Sequence, residues 1–516
     1  MKKLFISALC LATFWSCANS EDTPPQAEAG NVYMQFSVKM ETTRSATDGE
    51  GDTNSDASPD FEVGLDKENT ISSVDIVLTN GTDYVVAKSV TDIASAAKDT
   101  YVASFSTLEL KESTAYDVYI YANCNAPESK DLDATSDATI ASMTADNGFW
   151  MTNAVKAVTV ILPADMSLYT QPQTPYNLGA HKVERSMARF DYMPINNNAY
   201  EIGESATVTL TEAALINQSK AFYMLRRVSE DGTNANWELG GVENLNNYVV
   251  DTDYQAKAAG YTEAQVANFD YHLTAPAIWD WKSIAVADLK QKDNWEGTDD
   301  GKSGSSADHN LNDYYVWQYA KENTIPKVDA QKTGITTGVV FKGEITGEAV
   351  TAANGGMIYV FDNILYGTWD KVAAATAANA SATLTAAYNQ VEAGLKALSE
   401  NATDVDKAKV YADAGFTGYS ADDDGKYYAY YYYWNRHNDN GDNSKMGLME
   451  FAVVRNNVYK LCVDKIARFG HPDPNNPENP DPDPVDPTDP DEELNYYFNV
   501  TVKVLPWVVR VNHIEF

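Results

Sequence analysis

The residues of this 516-residue chain that could do covalent chemistry or bind a metal do not gather into a known catalytic pattern. The six histidines are scattered, and no two lie at the helical spacing of a metal-binding pair. Residues 297–303 resemble a phosphate loop, but three residues separate its two glycines where the motif needs four. The acidic stretches 422–425 and 439–442 lack the spaced ligands and final glutamate of an EF-hand, and they predict turns. The sequence therefore predicts no catalytic residue, no cofactor and no metal site.

Cys17 lies where a bacterial chain would carry a lipid. A basic start precedes an apolar run, residues 4–15, that is too short to span a bilayer and is typical of an export signal. Ser16 and then Cys17 follow, which resembles a lipobox, although the two large aromatic residues before Ser16 depart from its tightest form. Residues 1–16 are then the signal peptide, and acyl chains on Cys17 would anchor the precursor stably to a membrane. The alternative is an ordinary secretory signal with an incidental Cys17.

A candidate protease site follows the first predicted strand. Residues 31–40 alternate in polarity, which predicts a half-buried strand. Its apolar face comprises Val32, Met34, Phe36, Val38 and Met40. Arg44 stands between this strand and an acidic, apolar-poor stretch, residues 45–59, that we expect to be disordered. Proteases cut most easily at such junctions, so we predict cleavage between Arg44 and Ser45 and a propeptide of residues 17–44.

The end of the chain predicts a tethered strand. Residues 472–494 are rich in Pro and Asp and predict a stiff, extended linker. Residues 495–516 are β-prone, and their alternating apolar residues are Tyr496, Phe498, Val500, Val502, Val504, Trp507, Val509 and Val511. A strand of this kind with no hairpin partner beside it aggregates unless a groove receives it.

The two terminal strands together suggest a way to polymerise. Removal of the chain up to Arg44 would open a groove, and the C-terminal strand of the next copy would fill it by strand addition. Head-to-tail repetition of that contact builds an open filament. The alternative is that both strands pair within one monomer as ordinary sheet edges.

Composition limits the classes of function. The chain has 74 acidic and 38 basic residues, for a formal net charge of −36, which argues against binding to nucleic acid. Of the four cysteines, Cys124 and Cys462 lie beyond the export signal and lipobox, each in a strand-like run. We predict that both are buried as small apolar residues and do not form a disulfide.

Short strand-like runs separated by turn signals predict a mainly β protein with two β-sandwich domains, residues 45–180 and 181–471. The runs are residues 73–78, 84–86, 101–105, 116–120 and 157–162, and then 183–192, 206–210, 338–343 and 450–454. Residues 372–412 are rich in Ala, Leu, Lys and Glu and predict one or two helices inserted into the second domain. The aromatic run 427–434 is expected to pack on alternating faces of a strand.

Several longer stretches resemble the Mfa-type major fimbrilins, the type V pilus stalk subunits of Bacteroidales. They are residues 32–38 (VYMQFSV) with 43–45 (TRS), 433–441 (YWNRHNDNG), 450–459 (EFAVVRNNVY) and 504–512 (VLPWVVRVN). The resemblance implies two transthyretin-like sandwich domains and transport to the outer membrane as a lipoprotein. It also implies trimming by an arginine-specific or trypsin-like protease, followed by donor-strand exchange. In this chain Cys17 would carry the lipid, Arg44 would be cut, and residues 496–516 would be the donor.

The expected function is therefore a stalk subunit of a cell-surface fimbria. Its partners would be other copies of itself, anchor and tip subunits and the activating protease, and the fimbria would support adhesion and biofilm formation. A tip or adhesin subunit is an alternative within the same family. A rival from another class is a monomeric surface lipoprotein that binds glycans on its tyrosine-rich strand.

Overall fold

The computed structural model of the chain describes most of both predicted domains and two pieces of the C-terminal segment. The described residues are 32–40, 65–97, 100–107, 109–128, 130–145, 147–154, 156–203, 206–229, 237–239, 248–253, 269–270, 279–291, 314–325, 335–378, 381–437, 447, 449–474, 498–505 and 510–512. Several predicted features lie outside these residues: Cys17, Arg44, Ser45, Tyr496, Trp507, Val509 and the stretches 297–303 and 439–442.

The first part of the chain forms one large sheet. Its strands are β1 (Val32–Met40), β2 (Val74–Thr79), β3 (Tyr84–Val90), β4 (Ile93–Ala97), β5 (Thr100–Thr107), β6 (Ala115–Ala122), β7 (Thr135–Ser136), β8 (Met151–Asn153), β9 (Val158–Ile161) and β10 (Tyr176–Arg185). All except β7 belong to this sheet, in the order β3-β2-β6-β8-β10-β1-β5-β4, with β9 also paired to β6. β3 lies against β5, so the sheet curls around its own apolar core.

The rest of the chain adds shorter strands. They are β11 (Ala188–Met193), β12 (Ala199–Ile202), β13 (Ala206–Ile216), β14 (Gln218–Ser219), β15 (Phe222–Tyr223), β16 (Arg227–Ser229), β17 (Trp237–Leu239), β18 (Tyr248–Val249), β19 (Phe269–Asp270), β20 (Lys282–Ser283), β21 (Tyr315–Ala320), β22 (Gly338–Gly347), β23 (Ile358–Phe361), β24 (Ile364–Tyr366), β25 (Thr417–Tyr419), β26 (Tyr427–Trp434), β27 (Val458–Ile466), β28 (Phe498–Leu505) and β29 (Arg510–Asn512).

Two of the sheets in this second part enclose a second core. One has the order β21-β11-β27-β28-β29, and the other has the order β12-β13-β22-β26 with β20 paired to β13. Side chains from both sheets, such as Phe190, Leu461 and Phe341, are fully buried in a single cluster between them. β26 alternates strictly: Tyr427, Ala429, Tyr431 and Tyr433 are buried, and the residue that follows each of them is half-buried. This alternation confirms the packing predicted for the aromatic run.

Seven helices are described. They are α1 (Asp66–Asn69), α2 (Ile140–Met143), α3 (Val286–Gln291), α4 (Glu348–Ala353), α5 (Trp369–Ala377), α6 (Ala382–Ala397) and α7 (Asp404–Asp413). The predicted insertion therefore holds three helices, α5 to α7, rather than one or two. Thr368, Ser381 and Thr403 each cap the next helix by accepting a hydrogen bond from its first turn, which is why the composition breaks into three segments.

The structure confirms a mainly β protein and corrects several details. The predicted strand 450–454 makes only isolated bridges, Phe451 with Arg436 and Val453 with Asn323. The run 183–192 is split between β10 and β11, which lie in different sheets, so the change of sheet falls after the predicted boundary at 180–181. Cys124 and Cys462 are buried free thiols, as predicted.

Candidate functional site

The first strand lies in the interior of the large sheet. β1 pairs in antiparallel fashion with β5 from Val32 to Lys39 and in parallel with β10 from Met34 to Met40. A register shift between Gln35 and Ser37 interrupts the parallel ladder opposite Gly179, whose φ of +93° suits glycine. β1 therefore pairs within its own chain, as the alternative states, but it lies in the interior of the sheet and not at an edge. We call the position between β5 and β10 the β1 slot.

Three apolar side chains of β1 fill the core below the slot. Met34, Phe36 and Val38 are at most 1% exposed, whereas Val32 is half-buried at the rim. The Phe36 ring meets Phe105 of β5 edge to face, with ring centroids 5.9 Å apart. Full burial of three such side chains contributes roughly 5–9 kcal/mol as an upper estimate. Loss of β1 would expose this surface and leave the facing backbone edges of β5 and β10 without partners. The side chain of Met40 lies outside the described part.

The C-terminal strands pair with the second sandwich of their own chain. β28 runs antiparallel to β27, and the register places Val504 opposite Tyr459, Val502 opposite Leu461 and Val500 opposite Val463. β29 pairs antiparallel with β28, so β28 has a neighbour within the C-terminal segment, which the sequence did not predict. Because β27 also pairs with β11, β27 would keep one neighbour if β28 left.

The root of the predicted linker is fixed on β26. The backbone of His471 exchanges two hydrogen bonds of 2.8 Å with Tyr430, and the Tyr432 hydroxyl donates to the Pro474 carbonyl at 2.6 Å. Gly470 lies so close to β26 that a Cβ there would fall 2.4 Å from the Tyr430 carbonyl oxygen. Burial lowers the pKa of His471 to about 4, so the imidazole is neutral at neutral pH. The first residues of the predicted linker, up to Pro474, are therefore held against β26.

Half-buried rings surround the linker root. Tyr432 and Trp434 stack with centroids 6.1 Å apart, Trp281 contacts Tyr430, and the His471 ring meets Tyr432 edge to face. These rings contact one another and the linker root, which accounts for their presence without a ligand.

A buried ionic cluster joins the chain downstream of Arg44 to the second sandwich. We call it the Glu68 cluster: Glu68, Arg185, Arg189, Asp191 and Tyr319, of which the first four are at most 3% exposed. Arg189 contacts Glu68 and Asp191 at 2.8 Å each, and the Tyr319 hydroxyl donates to Glu68 at 2.7 Å. Burial, and next the Glu68 carboxylate, raises the pKa of Tyr319, so this phenol stays a donor.

Arg185 completes the connection at the corner between β10 and β11. Its Nε donates to the Glu68 carbonyl at 2.8 Å, and its Nη1 donates to Asn456 at 3.2 Å. No sequence pattern predicted this cluster. The available signal was the presence of two arginines and an aspartate inside the strand-like run 183–192, where water-exposed positions are few.

Two family profiles match the chain, and both describe fimbrial subunits. The family described as "Major fimbrial subunit protein (FimA)" matches residues 33–212, which include the β1 slot. The family described as "Major fimbrial subunit protein type IV, Fimbrillin, C-terminal" matches residues 426–513, which include β26 to β29. Together they cover just over half of the chain.

The matched families place the chain among structural proteins of the cell surface. The chain belongs to the major fimbrial subunit family, which confirms the predicted membership of the Bacteroidales fimbrilins. It is a structural subunit of a cell-surface fimbria and assembles with other fimbrial subunits. No curated protein matches it significantly.

The solved structures that resemble this chain are distant from it in sequence. A fimbrilin from Porphyromonas gingivalis is 15% identical, with a TM-score of 0.38 over 93% of this chain and 99% of that one. A candidate cell adhesion protein from Parabacteroides distasonis is 13% identical, with a TM-score of 0.39 over 92% and 100%. A fimbrial assembly protein from the same species is 8% identical, with a TM-score of 0.23 over 61% and 96%. None of the described helices is long and apolar enough to cross a membrane.

Proposed function

We propose that this chain is a stalk subunit, exported as a lipoprotein on Cys17, trimmed between Arg44 and Ser45, and polymerised by donation of its C-terminal strand. The observation that carries the proposal is the place of β1 in the middle of a sheet. A single cut after Arg44 frees β1 and opens a core position that only another strand can fill.

The predicted donor has a suitable length and pattern. β28 has eight residues against the nine of β1, and both alternate apolar with polar positions. Residues 475–497 separate Pro474 from Phe498. Extended at ~3.1 Å per residue, they would reach up to about 70 Å, enough to cross from one subunit to the next. In the free subunit β28 rests on β27 of its own chain.

The Glu68 cluster supports the same order of events. None of its five residues belongs to β1, so release of residues 1–44 leaves it intact. The chain that follows the cut therefore stays attached at the junction of the two cores while the slot is empty. The lipid on Cys17 would leave with the propeptide, which frees the subunit from the membrane.

The rival functions differ in what they require. A tip or adhesin subunit would accept a donor in its slot but would not need its own C-terminal strand. A monomeric glycan-binding lipoprotein would keep β1 and its lipid and would use half-buried rings such as Tyr432 and Trp434 as a platform.

An arginine-specific protease tests the cut. Of the seven arginines whose side chains are described, six are at most 8% exposed and Arg468 is exposed. We would treat the purified soluble precursor, determine the new N terminus and inspect the sample by electron microscopy. We expect a new terminus at Ser45 and the appearance of filaments.

Three variants make the result specific. Arg44→Gln should block both cleavage and filaments, whereas the matched variant Arg468→Gln should change neither. Deletion of residues 495–516 should leave the cut in place and abolish filaments. Filaments formed without the cut, or without residues 495–516, would contradict strand donation. A precursor that is cut but stays monomeric would favour the glycan-binding alternative, which sugar-binding assays would then test.

A further inference from the structure

One side chain of the β1 slot is a histidine. His181 of β10 pairs with Val38 of β1 in the parallel ladder and is 1% exposed. Its ring meets the Phe36 ring edge to face, with centroids 6.2 Å apart. Neither of its ring nitrogens makes a hydrogen bond of normal geometry within the described part of the chain. A polar ring is thus sealed beneath an apolar strand.

The charged residues of β10 do not form an ion pair with the His181 ring. Lys182 is exposed, Glu184 pairs with Arg226 at 3.1 Å, and Arg185 donates to the Glu68 backbone. Burial lowers the pKa of His181, and the Leu178 backbone opposes this effect. No carboxylate among the described residues contributes to the pKa of His181, so the neutral ring is the form that the closed slot accepts.

The neighbouring elements carry few ionisable groups. β5 has no charged residue and a single tyrosine, Tyr101, whose hydroxyl donates to the Asn69 carbonyl at 3.0 Å. β8 has none, and the short 3₁₀ turn Met166–Tyr169, which lies against β1, has only Tyr169. β1 contributes Tyr33, which is half-buried, and Lys39, whose side chain lies outside the described part.

We propose that His181 makes the β1 slot sensitive to acid: a strand seats in the slot only over a neutral His181, so acidification weakens strand insertion. This inference rests on the proposed function, in which a donor strand refills the slot. With the slot empty, water reaches the ring and the imidazole can take up a proton. An apolar strand that returns must then displace that proton, because it brings no acceptor for it.

The sign of the effect follows from linkage. The open slot binds the proton more tightly than the filled slot, so strand insertion is at full strength above the ordinary histidine pKa of 6.5 and weakens below it. The loss approaches about tenfold in affinity for each pH unit below that value. Charge repulsion between subunits changes in the opposite direction. The net charge of −36 falls in magnitude as carboxylates take up protons, so repulsion weakens at lower pH. Stronger repulsion therefore cannot explain weaker assembly at lower pH.

The test uses the full-length protein, cut at Arg44 and allowed to assemble at pH 7.5, 6.5 and 5.5. The concentration of subunits left outside filaments is measured at each pH for wild type and for His181→Phe. We expect the ratio of the wild-type to the variant concentration to rise about tenfold from pH 7.5 to 5.5. The control Lys182→Gln, at the exposed position next to His181, should show the same pH dependence as wild type. If the ratio of the wild-type to the His181→Phe concentration did not change with pH, the inference would be overturned, whereas strand donation would stand.

A second measurement does not depend on the variant folding. Diethyl pyrocarbonate modifies accessible neutral imidazoles, and mass spectrometry of peptides locates the label. We expect His181 to be unlabelled in the precursor and in filaments and labelled in freshly cut subunits. Labelling at equal rates in all three states would refute a sealed histidine. Absence of filaments at every pH would instead refute the proposed function and, with it, this inference.

Discussion

At the scale of single residues, the buried ion pairs are sensitive to the loss of either partner. The Arg189, Glu68 and Asp191 side chains are at most 2% exposed, and so are those of Arg455 and Glu322. A buried pair adds little over an apolar packing, but loss of one partner leaves a charge in the core. These residues therefore fix how the two cores join rather than simply add stability.

The Glu68 cluster gives a direct prediction. Glu68→Gln should lower the free energy of unfolding of the precursor by about 3 kcal/mol, because Arg189 loses one of its two carboxylate partners in a buried site. Urea unfolding measures the change. The matched control is Glu128→Gln: Glu128 is 90% exposed and pairs with Lys88 at 3.3 Å, so its loss should cost less than about 1 kcal/mol. Equal costs for the two variants would show that the cluster does not hold the junction.

At the scale of elements, β1 and β28 are the strands whose partners are expected to change. β1 lies between two neighbours and carries three fully buried side chains, whereas β28 lies between β27 and the short β29. A strand in the middle of a sheet is held by two ladders. In the proposed mechanism, the cut after Arg44 therefore precedes the release of β1 and decides when the slot opens.

If a donor strand replaces β1 in the filament, a mutation in the buried face of β1 should destabilise the precursor but not the filament. Phe36→Ala should destabilise the precursor by about 3–5 kcal/mol, because it leaves a cavity beneath β1. Filaments assembled from the cut variant should have wild-type resistance to urea, because residues 1–44 are gone. Thermal unfolding of the precursor and urea dissociation of filaments measure the two effects. Tyr33→Ala, at a half-buried position on the same strand, should cost less in the precursor. Weakened filaments from the Phe36 variant would mean that β1 stays in the assembly.

At the scale of the whole molecule, neither of the two cysteines in the described part of the chain forms a disulfide. Cys124 and Cys462 are buried thiols, and burial raises the pKa of both well above the ordinary range. Thiols in this state react slowly, because the thiolate is the nucleophile and the site is closed to reagents.

The mature protein should therefore be inert to thiol reagents until it unfolds. After the cut at Arg44 it would retain only Cys124 and Cys462 of the four cysteines. We expect no labelling by a maleimide in native buffer, two labels per chain in denaturant, and no change in melting temperature with a reducing agent. Fast native labelling of either cysteine would show that its core opens readily.

The sequence by itself determined much of the architecture. Alternation in residues 31–40 and 427–434 predicted strands that the structure confirms, because a strand with one buried face must alternate. Regularly spaced short runs predicted a mainly β protein, and the fimbrilin signatures predicted the family. The predicted cleavage at Arg44 and lipid on Cys17 lie outside the described residues and stay predictions.

Only the tertiary structure decided which strands are neighbours. Val38 meets His181 and Arg189 meets Glu68 across more than a hundred residues of sequence, and local patterns carry no information on such pairings. For the same reason the sequence did not place β28 on β27. The run 450–454 looks like a strand, but Glu450 pairs with Arg436, and Val453 bridges to Asn323, so its partners lie on separate elements. The pattern of its own side chains is enough to predict a strand. The position of that strand in a sheet depends on the partners that folding brings beside it.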